Sequence, residues 1–200
     1  PATTTAAFRV INASINVYGI DIRVDQNIPY GVWSSSAYVR LSSMTVSTSG
    51  VLGIYEAGVR LSSWSALSYS SVSVWNAHGV WLEGSTMTAV SYSSAAATRN
   101  ALYFTGASSN TVMNSVLSQR PLIKGAYAIN LSSAHNNRIE LTSATAFAGV
   151  YIVGSSSNVI INSVVRGYGT PATPALNPSG ITRYNSSYNR VDMSTVIGRF

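Results

Sequence analysis

Residues 148–167 read AGVYIVGSSSNVIINSVVRG, two short apolar alternations on either side of a polar bend that holds one asparagine, Asn158. Three further segments align with its core without a gap: ALYFTGASSNTVMNS from Ala101, AINLSSAHNNRIELT from Ala128 and GITRYNSSYNRVDMS from Gly180. Each runs small, apolar, any residue, then a polar bend, with asparagine nine places after the start: Asn110, Asn137, Asn158 and Asn189. Val or Ile follows each asparagine after two places in every copy, and Ser or Thr three places later (Ser115, Thr142, Ser163, Ser194). Self-similarity at a short fixed spacing is the signature of a solenoid.

Shorter versions occupy the N-terminal half: GIDIRV from Gly19, YVRLSSMTVS from Tyr38, GVRLSSWSALS from Gly58 and GVWLEGSTMTAVS from Gly79. With the apolar residue after the small one as a ruler, the series is Ile20, Val39, Val59, Val80, Leu102, Ile129, Val150 and Ile181. Its steps of 19, 20, 21, 22, 27, 21 and 31 residues describe a basic period near 21 with two insertions. Helical repeats are excluded, because the segments alternate with period two, are rich in Val, Ile, Thr, Tyr and Ser, and show no longer 3.6-residue stripe. The spaced leucines of leucine-rich repeats are missing. A coil of short parallel strands remains, each stacked on its equivalent at about 4.8 Å.

In such a stack every bend sets one residue above its counterpart. The asparagines Asn110, Asn137, Asn158 and Asn189 are therefore read as a structural ladder of side-chain amides, as in cross-β stacks, on a residue type that tolerates left-handed backbone angles. The Ser and Thr five places on form a second ladder. The Gly-apolar-x-apolar-x-Gly-Ser-Ser-x-Asn-x-apolar coil resembles the right-handed parallel β-helix repeats of the pectate-lyase-like superfamily, particularly its secreted members with Asn-Ser-rich turns. The resemblance covers nearly the whole chain and implies a fold. That superfamily holds polysaccharide lyases, hydrolases, epimerases, tailspikes, adhesins and non-catalytic carriers, so it implies no single activity.

Composition narrows the classes. An apolar content of 46% over 200 residues suits one domain across 1–200 with a real core. Only 9% of residues are charged, against about 25% in an average domain. The net charge of +6 is spread thinly, without the basic cluster of a nucleic-acid binder. There is no cysteine, which removes disulfides and thiol chemistry. No apolar run approaches the roughly eighteen residues of a membrane span. The chain starts at Pro1, which suggests a removed leader or a segment of a longer exported protein; sequons stand at Asn12, Asn130 and Asn185.

The place between the two apolar ruler residues points outward. It holds Asp21, Arg40, Arg60, Trp81, Tyr103, Asn130, Tyr151 and Thr182, and a second outward column is read through Trp33, Tyr55 and Trp75. Flat rings beside Arg and Asn suit a glycan groove, and the same residues suit a protein interface or plain coil-on-coil stacking. Arg40, Arg60, Trp81, Tyr103, Asn130 and Tyr151 are the candidate contact residues for glycan or protein.

Convergent catalytic groups are not recognisable. Glu140 and Asp192 share one outward column, but Ile161 lies between them and two coils separate them by about 9–10 Å, at the far edge of glycosidase geometry. No column has acids on adjacent coils to hold calcium, and His78 and His135 have no acidic partner, so the reading names no catalytic residue, metal ligand or cofactor. Insertions at Ser118–Tyr127, with Arg120 and Lys124, and at Arg166–Gly180 are expected to leave the solenoid as loops. Neither terminus reads as a capping helix, so both ends are expected to present unpaired strands.

The sequence therefore describes an all-β, right-handed parallel β-helix of about eight coils of about 21 residues with two insertions. It is read as an extracellular, cell-surface or virion-surface protein, a non-catalytic structural or adhesive rod that forms part of a filament, sheath or fibre. Its expected partners are other copies or surface proteins and, in one alternative, polysaccharide; neither nucleic acid nor a membrane span is expected. That alternative is a glycan-binding tailspike-like or adhesin module, and a polysaccharide lyase or hydrolase is the second.

Overall fold

The computed structural model describes residues 5–12, 14–35, 38–49, 53–120, 126–168 and 180–198. The chain winds as a parallel β-helix with three eight-stranded parallel sheets. Each coil lays one strand in each sheet. In the fifth coil these are Leu102–Thr105, Thr111–Met113 and Val116–Gln119. Every strand pairs with its equivalent one coil above and below, as in Leu102↔Ile129 and Val112↔Ile139. Among the described residues no helix is long and apolar enough to cross a membrane.

Period-two alternation is the physical cause. In a strand such as Leu102–Thr105 every second residue is buried, and stacking of equivalent strands turns those positions into continuous apolar columns. The first sheet contributes Val32, Val59, Val80, Leu102, Ile129 and Val150, all buried. The second sheet faces them with Leu41, Leu67, Val90, Val112, Ile139 and Ile160, and the third with Val46, Val72, Ala95, Leu117, Ala144 and Val165. Full burial of each large aliphatic side chain contributes about 1.5–3 kcal/mol.

Where the first and third sheets converge, the chain needs small residues. Gly31, Gly58, Gly79, Ala101, Ala128, Gly149 and Gly180 precede the first-sheet apolar column. A Cβ on Gly58 would lie 2.4 Å from Val72 Cγ1, and one on Gly31 would lie 2.6 Å from the Gly58 carbonyl oxygen.

The register corrects the sequence ruler at its start. Val32 pairs with Val59, and Phe8 with Val32, so Phe8 and Val32 hold the places assigned to Ile20 and Val39. Val39 belongs to the second sheet, where it pairs with Ile15. The segment Tyr38-Val39-Arg40-Leu41 imitates Gly58-Val59-Arg60-Leu61, whereas the true equivalent is Gly31-Val32-Trp33-Ser34. There an inward serine replaces the second apolar residue, and its hydroxyl meets the Ser62 hydroxyl at 3.0 Å.

The first bend, between the first and second sheets, carries the repeated asparagines. Asn110 Nδ2 donates to Asn137 Oδ1 at 3.0 Å, Asn137 Nδ2 to Asn158 Oδ1 at 3.0 Å and Asn158 Nδ2 to Asn189 Oδ1 at 2.9 Å. Each of these acceptors also takes the backbone N–H of the asparagine below. The left-handed backbone lies one residue earlier, at Ser109, Asn136, Ser157 and Tyr188, so amide stacking and not conformation accounts for asparagine. At the second bend Ser70, Ser93, Ser115, Thr142, Ser163 and Ser194 each donate to the carbonyl two residues before.

The ends are unlike one another. In the eighth coil Val191 and Val196 are 41% and 44% exposed, while in the first coil Val10 and Val17 are 5% and 7% exposed. Apolar column positions are exposed at both ends, Ile15 at 38% in the first coil and Val191 and Val196 in the eighth, and the C-terminal end is the more open of the two among the described residues. Lys124, with residues 121–125 of the first insertion and 169–179 of the second, lies outside the described residues.

Candidate functional site

The outer face of the first sheet gathers the aromatic and charged side chains of several coils. Its central column runs Arg9, Trp33, Arg60, Trp81, Tyr103, Asn130, Tyr151 and Thr182. Of the residues expected there, Arg60, Trp81, Tyr103, Asn130 and Tyr151 share this column. Arg40 does not: it stands in the second sheet between Asn16 and Ala66. Asp21 is in the third sheet opposite Thr45. Trp33, Tyr55 and Trp75 form no common column, since Trp33 joins the central one and Trp75 follows a third-sheet strand.

A flanking column on the same face adds Tyr30 and His78, both level with Ala57. These were missed in the sequence, although one signal was present. An aromatic ring immediately precedes the small residue in Tyr30-Gly31, His78-Gly79 and Tyr127-Ala128.

Arg60 is the centre of this arrangement. Its guanidinium lies 5.3 Å from the Tyr30 ring centroid, 5.4 Å from Trp33 and 5.4 Å from Trp81. It donates to the Tyr30 hydroxyl at 3.2 Å and forms an ion pair with Glu83. Below it, Arg9 lies 4.2 Å from the Trp33 centroid. Above it, Trp81 stacks on Tyr103 at 5.7 Å, and the Trp81 Nε1–H donates to Thr105 Oγ1 at 3.2 Å. Aromatic pairs contribute about 0.5–1.5 kcal/mol each and cation–π contacts a similar amount. The cluster is therefore held in place before any partner arrives.

Further up, Tyr127 and Tyr151 stack at 4.7 Å with an interplanar angle of 12°. Burial, with Tyr151 beside it, raises the Tyr127 phenol above its ordinary pKa. Asn130 stands between Tyr103 and Tyr151, and its Oδ1 is enclosed without a hydrogen-bond partner among the described residues. The rings of the face are half-buried, with their remaining surface turned to solvent. They offer flat apolar plates beside the Arg9 and Arg60 guanidiniums, the Glu83 carboxylate and the Asn130 amide.

His78 lies 4.6 Å from Tyr103 and 5.9 Å from Trp81, ring centre to ring centre. Burial, with Arg99 nearby, lowers its pKa from 6.5 to about 4. The Asn100 N–H donates to His78 Nδ1 at 3.3 Å, which also opposes protonation there. Between these two values the unfolded chain binds a proton that the folded chain refuses. The stability gained from a neutral His78 is complete above pH 6.5 and is lost as the pH falls toward about 4. Calorimetry should therefore show the melting temperature of the native protein falling more steeply across that window than that of His78→Gln. Parallel curves would contradict the assignment.

Glu56 and Glu83 both act on the Tyr30 phenol, whereas the acids of the second sheet lie apart from them. Glu140 and Asp192 flank Ile161 in one outward column of the second sheet, and each pairs with the arginine two residues before it, Arg138 and Arg190. His135 is a bend residue with Nδ1 2.9 Å from Ser156 Oγ.

Similar solved structures share this architecture. Neither a protein-family model nor a curated protein matches the chain. Among solved structures, the chain is similar to the enzymatically active domain of tailspike protein 2 of bacteriophage CBA120, with 12% identity and a TM-score of 0.55 over 98% of this chain and 38% of that one. It is similar to pectate lyase Pel9A with 10% identity and a TM-score of 0.50, over 92% of this chain and 53% of that one. At these identities the likeness is one of fold.

Proposed function

We propose that the chain is a polysaccharide-binding β-helix, displayed outside the cell or on a virion, that holds glycan against the outer face of its first sheet. One observation carries this reading: Arg60 set among Tyr30, Trp33 and Trp81, with Tyr103 continuing the plates along the rod. Pyranose rings present an apolar face for stacking and an edge of hydroxyls for planar polar groups. The regular rise of the coils suits a repeating ligand. The fold shared with a tailspike and a pectate lyase supports the same reading at the level of architecture. We read the described face as binding without chemistry, because Glu83 is tied to Arg60, which leaves Glu56 near Tyr30 without a second free carboxylate beside it among the described residues, and Glu140 and Asp192 stand on the second sheet, each paired with a neighbouring arginine.

Titration of soluble polysaccharides, followed by tryptophan fluorescence and calorimetry, tests the reading. Trp81→Ala should weaken binding about 10–100-fold, the equivalent of about 1.4–2.8 kcal/mol, while the highly exposed Tyr188, replaced in Tyr188→Ala, leaves it unchanged. Equal affinity for native protein and Trp81→Ala would remove the first sheet as the binding face.

A second reading, as a structural rod joined end to end with other chains, draws on the open eighth coil. Val191 and Val196 are the positions that Ile160 and Val165 fill one coil earlier with 1% and 0% exposure. A stacked β-strand layer of another chain would cover them.

A further inference from the structure

The second bend, which joins the second and third sheets, holds one residue per coil in the left-handed region. Ser43, Tyr69, Tyr92, Asn114, Leu141, Asn162 and Met193 occupy it with φ between 43° and 54°. After glycine, asparagine adopts this conformation at least cost, and Asn114 and Asn162 show that this bend accepts it. A tyrosine there carries strain of about 1–3 kcal/mol. Two consecutive coils nevertheless place one, at Tyr69 and Tyr92.

Packing does not account for that choice. The two rings stack at 5.1 Å and 7°, but they are 64% and 52% exposed. An exposed aromatic pair returns about 0.5–1.5 kcal/mol, no more than the strain of one residue. Strain kept at neighbouring exposed positions points to a contact with something outside the chain.

Beside the pair runs a groove of about 570 Å³ along the edge of the third sheet. Its floor carries the outward hydroxyls of Thr45, Ser71 and Ser94, and Ser94 Oγ donates to Ser71 Oγ at 3.3 Å. Ser70 and Ser93 also line it, but their hydroxyls are committed to the Ser68 and Ser91 carbonyls. Asn114 closes the upper end with an amide, and no lining residue carries a charge. An anionic ligand would find no guanidinium or ammonium there, and the lining, in which the tyrosine rings and Val116 stand beside the row of hydroxyls, suits a ligand with both an apolar face and a hydroxyl edge.

We propose that this groove binds a neutral sugar chain, with the Tyr69 and Tyr92 rings against pyranose faces and the hydroxyl column and Asn114 amide bonding its hydroxyl groups. The site is separate from the Arg60 face and does not rest on it.

Affinity electrophoresis in gels containing a soluble β-glucan, galactomannan or dextran, with polygalacturonate as the anionic comparison, tests the proposal. The native chain should be retarded by at least one of the neutral polymers. The double variant Tyr69→Asn/Tyr92→Asn should lose about tenfold or more of that affinity, with a melting temperature equal to or above the native value, and Tyr188→Ala, at a different bend, should retain the retardation. Native mobility unchanged in all three neutral gels would overturn the proposal, as would retardation by polygalacturonate alone. Neutral binding intact in the double variant but lost in Trp81→Ala would assign it to the first sheet instead. A fall in melting temperature of more than about 5 °C in the double variant, with retardation intact, would make the tyrosines structural.

Discussion

Asn137→Ala is expected to lower the melting temperature by about 10–15 °C, the largest effect of any single side-chain truncation in the coil bends. Asn137 accepts at Oδ1 from the backbone N–H and the Nδ2 of Asn110, both at 3.0 Å. From Nδ2 it donates to the Ala107 carbonyl at 3.1 Å and to Asn158 Oδ1 at 3.0 Å. The residue is 1% exposed, so water does not replace these partners. Alanine leaves two donors of Asn110, its backbone N–H and one Nδ2–H, unpaired in the interior, at about 1–3 kcal/mol each and about 3–5 kcal/mol together, while the Ala107 carbonyl keeps the His135 N–H at 3.0 Å. Aspartate does not rescue the site, because its second oxygen would face Ala107 O and Asn158 Oδ1, both acceptors. Asn189→Ala takes the acceptor from the same two donors on Asn158, but at the half-buried end of the series water can enter the vacated place, and it should cost only about 1 kcal/mol. Thermal unfolding followed by circular dichroism measures the difference, and equal melting temperatures for the two variants would show that the amide series does not hold the coils.

Gly149→Ala is expected to cost about 3 kcal/mol, although one methyl group is all that is added. A Cβ there would stand 2.4 Å from Val165 Cγ1 and 2.5 Å from the Gly180 carbonyl oxygen. That oxygen accepts the Val150 N–H at 2.8 Å and cannot withdraw without breaking the pairing of the seventh and eighth coils. Conformation is not the issue, because Gly149 has no positive φ. Gly84 offers the opposite case, with φ of +55° and nothing within 4 Å of an added Cβ. Gly84→Ala should cost only about 1 kcal/mol, through backbone strain alone. In the sixth coil Ala128 and Ala144 hold the places of Gly149 and Val165, so Val165→Ala should recover part of the loss in Gly149→Ala. Denaturant titration reads all three, and a Gly149→Ala midpoint at or above that of Gly84→Ala would contradict the packing argument.

The fold was legible because its two controlling signals are local. Period-two alternation marks the strands, and Asn110, Asn137, Asn158 and Asn189 recur at a bend where each needs a like residue above it. The series ends at Thr88, which replaces asparagine in the fourth coil and hands its backbone N–H to Asn110 Oδ1 at 2.8 Å. Earlier coils therefore lack the strongest marker, and the ruler slipped there, taking Val39 for Val32. Ser34 deepened the error by filling an inward place with a hydroxyl, which meets the Ser62 hydroxyl at 3.0 Å. The left-handed positions were assigned one residue late, because Ser109, Asn136, Ser157 and Tyr188 share a backbone conformation and no side-chain type.

The candidate site was half legible for a related reason. Residues that share one outward column, from Arg60 to Tyr151, follow from the period once it is known. Trp33 needed the correct register of the second coil, and Arg40 was drawn in by the same slip. Tyr30 and His78 lie in a flanking column, so only the three-dimensional stack shows them beside Trp81. Tyr69 and Tyr92 sit at a bend whose conformational cost no side-chain pattern reveals.

The central claim is that the first sheet is a glycan-binding face, and a carbohydrate array probed with native protein and Trp81→Ala side by side tests it most directly. The account predicts saturable binding of the native chain to a limited set of polysaccharides, reduced at least about tenfold in the variant. Native protein that binds no glycan on the array, or a variant that binds the same set equally well, would contradict it.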